Sequence, residues 1–252
     1  MKILLLSKHS RLGASSRLRT QQYVPYLQDN GINITVSPLF DNDYLEALYS
    51  KNKRSRSHLL KLFIKRFFTL FTSFKYDLIW IEKEIFPYCP AVVEWLFNLL
   101  GIKYIVDYDD AIFHNYDLSS NKFVKMFLSS KIKKVMKYSH KVVVGNNYLG
   151  EYARSSGAND ITILPTVVDS TRYSLKNQYC SEQIVIGWIG SPSTQKYVIE
   201  LKSVFLRLHE KYNIKIVLVG ATGDVKSHFK NLNFEVSPWH EDLEAQLISG
   251  FD

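Results

Sequence analysis

Residues 2–17, KILLLSKHSRLGASSR, run from an apolar strand through a small-residue loop into the start of a helix. Residues 183–197, QIVIGWIGSPSTQKY, repeat that order, and 55 residues follow them. A short strand without polar alternation is covered on both faces, as in a parallel sheet flanked by helices. Two such openings predict two nucleotide-type folds, the second shorter than the first.

Working outward, apolar runs bounded by turns predict strands at Ile3–Leu6, Ile32–Val36, Leu78–Ile81, Ile102–Val106, Val142–Val144 and Ile161–Leu164. Helical spacing fills the gaps at about 15–30, 57–74, 90–100, 121–138 and 147–155, with Ser15 or Ser16 capping the first helix and Gly31 ending it. The polar, aperiodic stretch 165–183 reads as a linker. Beyond it come strands at 184–189, 214–219 and near 234–236, with helices at 194–211 and from about His240. The expected organisation is α/β, with two doubly wound, Rossmann-like domains. The first spans 1–170, a linker 171–183, and a partial second domain 184–252.

Charge is segregated. Residues 1–176 carry 25 Lys and Arg against 15 Asp and Glu, or +10, while residues 177–252 carry 7 against 9, or −2. A basic half points to an anionic partner. Cys89 and Cys180 form neither a metal spacing nor a disulfide framework. No secretory signal is read, because Lys8, His9 and Arg11 interrupt the first apolar run. No run reaches the ~18 apolar residues of a membrane span. The expected location is cytoplasmic, with a peripheral position on the inner face of the membrane as an extension.

Ligands of such sheets bind beyond the carboxyl ends of the strands. In the first loop, Gly13 permits a tight turn, Ser15 and Ser16 offer donors to an anion, and Arg17 and Arg19 add charge. The plain alternative is a glycine turn with a serine cap. Asp107-Tyr108-Asp109-Asp110 crowds three carboxylates at a strand end, suited to orienting hydroxyls, binding a metal or base work. Its alternative is a solvated loop. Glu82 and Glu84 are expected beside it, and His114 reads as structural. Gly190, Ser191, Ser193 and Thr194 let amides approach a phosphate, with Lys196 in reach.

Residues 51–75, KNKRSRSHLLKLFIKRFFTLFTSFK, put Leu59, Leu60, Phe63, Phe67, Leu70, Phe71 and Phe74 on one broad helical face, with seven basic residues between Lys51 and Arg66. That composition suits a helix lying on an anionic membrane, the alternative being a crossover helix with a solvated basic edge. Lysines at 122–141 add to the basic character. No nucleic-acid reader module is present.

KILLLSKHSRLGASSRLRTQQY, DYDDAIF, GNNYLGEYA, LPTVVD and IGWIGSPST, in that order, resemble bacterial family-4-like glycosyltransferases of the GT-B fold. The resemblance implies an acceptor-side N-terminal domain, a nucleotide-sugar-side C-terminal domain, and retaining transfer with no cofactor, the nucleotide-sugar being a substrate. It implies Asp109 and Asp110 as catalytic residues. Gly13, Ala14, Ser15, Ser16, Gly190, Ser191, Ser193, Thr194 and Lys196 would lie toward the donor, with Arg17, Glu84 and Asn146 on the acceptor side. Pro165, Thr166 and Asp169 would mark the passage between domains. The implied partners are a nucleotide-sugar and a saccharide or lipid-linked acceptor, as in bacterial cell-surface polysaccharide synthesis. Ser191 and Thr194 stand where many relatives carry Arg and Lys, and the family's Glu-x7-Glu donor motif is absent, so a truncated second domain is expected. Two alternatives accompany this reading: a non-catalytic, membrane-associated relative, and a metal-dependent transferase using Asp107 and Asp109.

Overall fold

The computed structural model describes residues 1–49, 55–174 and 182–252. In chain order the elements are β1 (Lys2–Leu6), α1 (Ala14–Arg19), α2 (Val24–Asp29), β2 (Asn33–Val36), α3 (Asn42–Tyr49), α4 (Arg56–Leu70), β3 (Leu78–Glu82), α5 (Val92–Leu99), β4 (Tyr104–Tyr108), α6 (His114–Asp117), α7 (Lys122–Leu128), α8 (Lys131–Tyr138), β5 (Lys141–Val144), α9 (Asn147–Ser155) and β6 (Ile161–Ile163). Then follow β7 (Ile184–Ile189), α10 (Gln195–Glu200), α11 (Lys202–His209), β8 (Ile214–Val219), β9 (Phe234–Ser237) and α12 (Glu244–Ser249). The chain divides into two compact units, a larger one ending at Val168 and a smaller one from Asp169 to Asp252, with the end of α3 from Ala47 grouped with the smaller.

The larger unit holds a parallel sheet in the order β2-β1-β3-β4-β5-β6. Its central strands β1, β3 and β4 are largely apolar because both faces are covered, whereas the edge strands β2 and β6 are mostly exposed. Leu4, Leu6, Ile79, Ile81, Val106 and Val142 pack on one face under α4, α5, α8 and α9, and Ile3, Leu5, Ile34 and Trp80 pack on the other against Tyr23, Val24 and Leu27. Each fully buried aliphatic side chain contributes about 1.5–3 kcal/mol. The strand order reverses between β1 and β3, so a crevice opens beyond their carboxyl ends.

Several expected helices are broken. The one expected at 15–30 is α1, a 3-10 turn at Gln21–Tyr23, then α2. Pro25 has no N–H for the preceding turn, and its ring opposes a continuous helix there. The serine pair Ser129-Ser130 divides the one at 121–138 into α7 and α8, and α10 and α11 meet at Leu201. Neither Ser15 nor Ser16 caps α1. Gly13 holds that position without a side-chain cap.

Two basic residues expected on the surface are internal. Arg66 on α4 is 2% exposed and donates from Nη2 to the carbonyls of Ser7 and Ser37, both at 2.8 Å. It ties the helix to the ends of β1 and β2 instead of facing solvent. Lys131 on α8 is equally buried. Lys51, Lys53 and Arg54 of the same basic stretch lie outside the described residues, as do positions 175–181 of the expected linker.

The smaller unit is a parallel β7-β8-β9 sheet around its own core of Val198, Phe205, Ile216, Leu218, Val225 and Phe229. Two residues expected in the linker are fastened to it. Arg172 Nη2 donates to the Glu241 carbonyl at 2.6 Å, and Tyr173 Oη to Glu244 Oε1 at 2.9 Å. Among the described residues, no helix is long and apolar enough to cross a membrane.

Candidate functional site

The carboxyl ends of β1, β3 and β4 bring together the densest set of charged groups in the larger unit. β3 is in register with β4, which sets Glu82 opposite Asp107. The loop after β1 then folds over both. A Cβ on Gly13 would lie 2.4 Å from His9 Cβ, so glycine is required there by close approach.

Glu82 is 1% exposed and organises that loop. Its Oε2 accepts from the Lys8 amide at 2.8 Å and from Ser16 Oγ at 2.6 Å, while Ser16 Oγ itself accepts from the His9 amide at 3.0 Å. Burial raises the Glu82 pKa above the ordinary range, against those donors and the nearby Lys83. Ser15 Oγ donates to Asp109 Oδ2 and reaches Glu82 Oε1 at 3.4 Å. The serine hydroxyls are thus turned to carboxylates, where the sequence reading offers them to an anion.

Lys83 follows Glu82 in a left-handed backbone conformation, φ +66°. For a residue with a Cβ that conformation costs roughly 1–2 kcal/mol, so the surrounding structure must hold it. Its amide donates to the Asp107 carbonyl at 2.9 Å, and its Nζ lies 2.9 Å from both Asp109 Oδ1 and Asp110 Oδ2. Only the Asp110 contact is an aligned hydrogen bond. Asp109 Oδ1 has the charge contact without one. Burial opposes ionisation of Asp109, yet Lys83 and Ser15 outweigh it and hold the carboxylate below its ordinary pKa. Lys83, desolvated but facing both aspartates, is raised. Asp110 extends outward with its side chain 69% exposed.

Asp107 differs. Burial pushes it up to about 6 even though Arg19 Nε donates to its Oδ1 at 2.8 Å. Arg19 also donates to the Leu164 carbonyl at 2.5 Å, while among the described residues its Nη2 has no hydrogen-bond partner. His9 is held down to about 4 by burial and by Lys8 and Lys83, and its Nδ1 has no partner among the described residues. At neutral pH the cluster therefore presents an ionised Asp109, a cationic Lys83 and a neutral imidazole.

Other expected site residues are placed elsewhere. Glu84 lies at the edge of the cluster, near enough for its charge to act on Lys8. It accepts from Tyr116 Oη at 2.8 and 2.7 Å and pairs with Lys131, which also donates to the Phe86 carbonyl at 2.5 Å. With 6% exposure it is a core ion pair, since its backbone turns inward after Lys83. Asn146 caps α9, its Oδ1 accepting from the Leu149 amide at 3.0 Å. Arg17 is buried and donates to the Arg11 carbonyl at 3.3 Å, and Ala14 is exposed. His114 is held by Asp117 at 2.9 Å and Tyr148 at 2.8 Å.

In the smaller unit, Gly190–Thr194 closes on itself. Thr194 Oγ1 accepts from the Ser191 amide at 3.0 Å, and Ser191 and Ser193 hydroxyls bond at 2.7 Å. A Cβ on Gly190 would meet the Trp188 ring at 2.3 Å, so internal packing already demands glycine. Lys196 is exposed, 4.9 Å above the Tyr197 ring. Beside this loop the buried Gln195 accepts from the Thr222 amide at 2.9 Å and donates to Asp224 at 3.2 Å.

Lys8, His9 and Lys83 are the members that the sequence reading leaves out of the site. The alternation Glu82-Lys83-Glu84 directly after an apolar strand is the signal for Lys83. Among the described residues, no three His, Cys, Asp or Glu side chains group as a metal site would require.

The structure resembles UDP-GlcNAc 2-epimerase of Neisseria meningitidis, solved bound to UDP-GlcNAc, with TM-score 0.61 and 11% identity over 100% of this chain and 76% of that one. It also resembles α,α-trehalose 6-phosphate synthase of Burkholderia multivorans, with TM-score 0.59 and 10% identity over 98% of this chain and 75% of that one. An α-glucosyltransferase in complex with UDP and DNA gives TM-score 0.56 and 12% identity over 99% of this chain and 70% of that one. The fold is GT-B. No protein-family model and no curated protein matches the sequence. At these identities the likeness concerns the fold, with two Rossmann-like sheets in succession.

Proposed function

We propose that this chain uses a nucleotide-sugar and transfers its glycosyl group to a saccharide or lipid-linked acceptor. The observation that carries the reading is the Lys83-centred cluster at the switch point of the larger sheet. There Asp109 is kept ionised and within reach of solvent, suited to accept a hydrogen bond or proton from a sugar hydroxyl. Solved GT-B neighbours bound to UDP or UDP-GlcNAc support the donor class.

In this reading Lys83 and Ser15 fix Asp109 toward the acceptor hydroxyl, and Asp110 adds a second, more exposed acceptor of hydrogen bonds. Gly190–Thr194 and Lys196 are assigned to the donor diphosphate. The metal-dependent alternative is weakened by pairing. Arg19 already occupies the Asp107 carboxylate and Lys83 that of Asp109.

The test is a panel of UDP-, TDP- and GDP-sugars. Their binding is followed by calorimetry, and release of nucleoside diphosphate is followed with and without simple saccharides. Binding of a subset, with release unaffected by chelator, is expected, and Asp109→Asn should reduce release by at least about 100-fold. A chain that neither binds nor cleaves any of them overturns the proposal. A second reading, epimerisation at the sugar, is favoured by the likeness to the Neisseria enzyme. It predicts a changed sugar with no free nucleotide.

A further inference from the structure

The helices α4, α5 and α7 lie on the same side of the larger sheet, and their outer surfaces are unusually apolar. Phe68, Phe71, Trp95, Leu99, Phe123 and Phe127 are each between 47% and 73% exposed. On α4 the rings of Phe67, Phe68 and Phe71 contact one another at 5.2–6.4 Å while remaining in solvent. A shallow hollow of about 530 Å³, walled by apolar side chains, opens between α4 and the Phe86–Cys89 loop. Soluble monomers rarely leave contiguous apolar surface of that kind uncovered.

The exposed charges of these three helices are of one sign. Lys61 and Lys65 on α4 and Lys122 and Lys125 on α7 are exposed. The three helices contain a single carboxylate, Glu94, and it is 2% exposed, accepting from the Ile85 amide at 3.1 Å. A second copy of this face would bring lysine against lysine. An apolar surface whose own helices expose lysines and no carboxylate instead complements a layer with anionic headgroups over hydrocarbon.

We propose that this face docks the chain on an anionic phospholipid surface, the lysines meeting lipid phosphates and the exposed aromatic side chains entering the headgroup layer. The proposal goes beyond nucleotide-sugar use and does not rest on it. It revises the sequence expectation in two ways. Arg66 and Lys131 drop out because they are buried, and the apolar contribution spreads from α4 to α5 and α7.

The experiment is sedimentation with phosphatidylcholine vesicles, with and without phosphatidylglycerol, at low and high salt. Binding should require phosphatidylglycerol and fall as salt rises. Lys61→Gln/Lys65→Gln should weaken it on the order of 20-fold, from roughly fivefold per lysine. Phe68→Ser/Phe71→Ser should weaken it by more than about tenfold. Because these side chains are solvated, both variants should keep the wild-type circular dichroism and unfolding midpoint. Brominated lipid should quench part of the fluorescence, and Trp95→Phe should remove that part. Failure of the folded wild type to sediment at low salt overturns the proposal. So does unchanged binding by both variants, or light scattering that shows the phenylalanine pair holding a dimer together.

Discussion

Lys83 does for the cluster what no neighbouring group does, holding two aspartates from a backbone conformation that disfavours any side chain. Lys83→Met leaves the half-buried Asp109 without its cation, so its pKa must rise. The expected outcome is a loss of at least about 100-fold in sugar-nucleotide turnover, with the acid limb of the pH–rate profile moved to higher pH. Lys83→Arg should restore part of both, which a merely structural role would not. His9 makes a separate, stability-based prediction. Its pKa is about 4 in the folded state, against an ordinary 6.5. As pH falls from 6.5 to 4 the unfolded chain takes up a proton that the folded chain refuses, so stability falls, by about 3 kcal/mol at most. Asp107, pushed up to about 6, works in the opposite sense, favouring the folded state as pH falls toward 3.8. Chemical denaturation of His9→Gln at pH 7 and pH 4.5 should therefore show a smaller acid loss than wild type.

At the scale of elements, the strands were legible and the fate of charged residues on helices was not. Six apolar runs became the six strands of the larger sheet because burial on both faces leaves little room for alternation. Arg66 and Lys131 were misread because a sequence pattern counts charge as exposure, whereas a partner within hydrogen-bond reach can take a charge inside. Within the site, the carboxylates of β3 and β4 followed from adjacent strand ends. The donation of Ser15 and Ser16 to those carboxylates depended on how one loop folds back, which spacing does not encode. Arg66 yields a test. Arg66→Met removes the donors to two carbonyls at the ends of β1 and β2, and should lower stability by about 2–4 kcal/mol in denaturant titrations. Gly220 yields another. At φ +80°, with a Cβ placed 2.2 Å from the Gly190 carbonyl oxygen, Gly220→Ala should cost the smaller unit about 2–4 kcal/mol.

At the scale of the molecule, charge, apolar exposure and candidate chemistry are divided between units with separate cores. The positive excess, the exposed aromatic helices and the Lys83 cluster all belong to the larger unit. The smaller carries its own apolar cluster around Leu218 and Phe229, and residues 177–252 within it have a slight negative excess. Among the described residues, no side chain of the smaller core belongs to a cluster of the larger. Two cores without shared members need not melt together, since two-state behaviour is a property of single cooperative domains. Calorimetry should resolve two transitions, the larger in enthalpy assigned to the larger unit because enthalpy scales with residues ordered. Arg66→Met should lower only that transition, and Gly220→Ala only the other. If each substitution moved both transitions equally, the units would share one cooperative core.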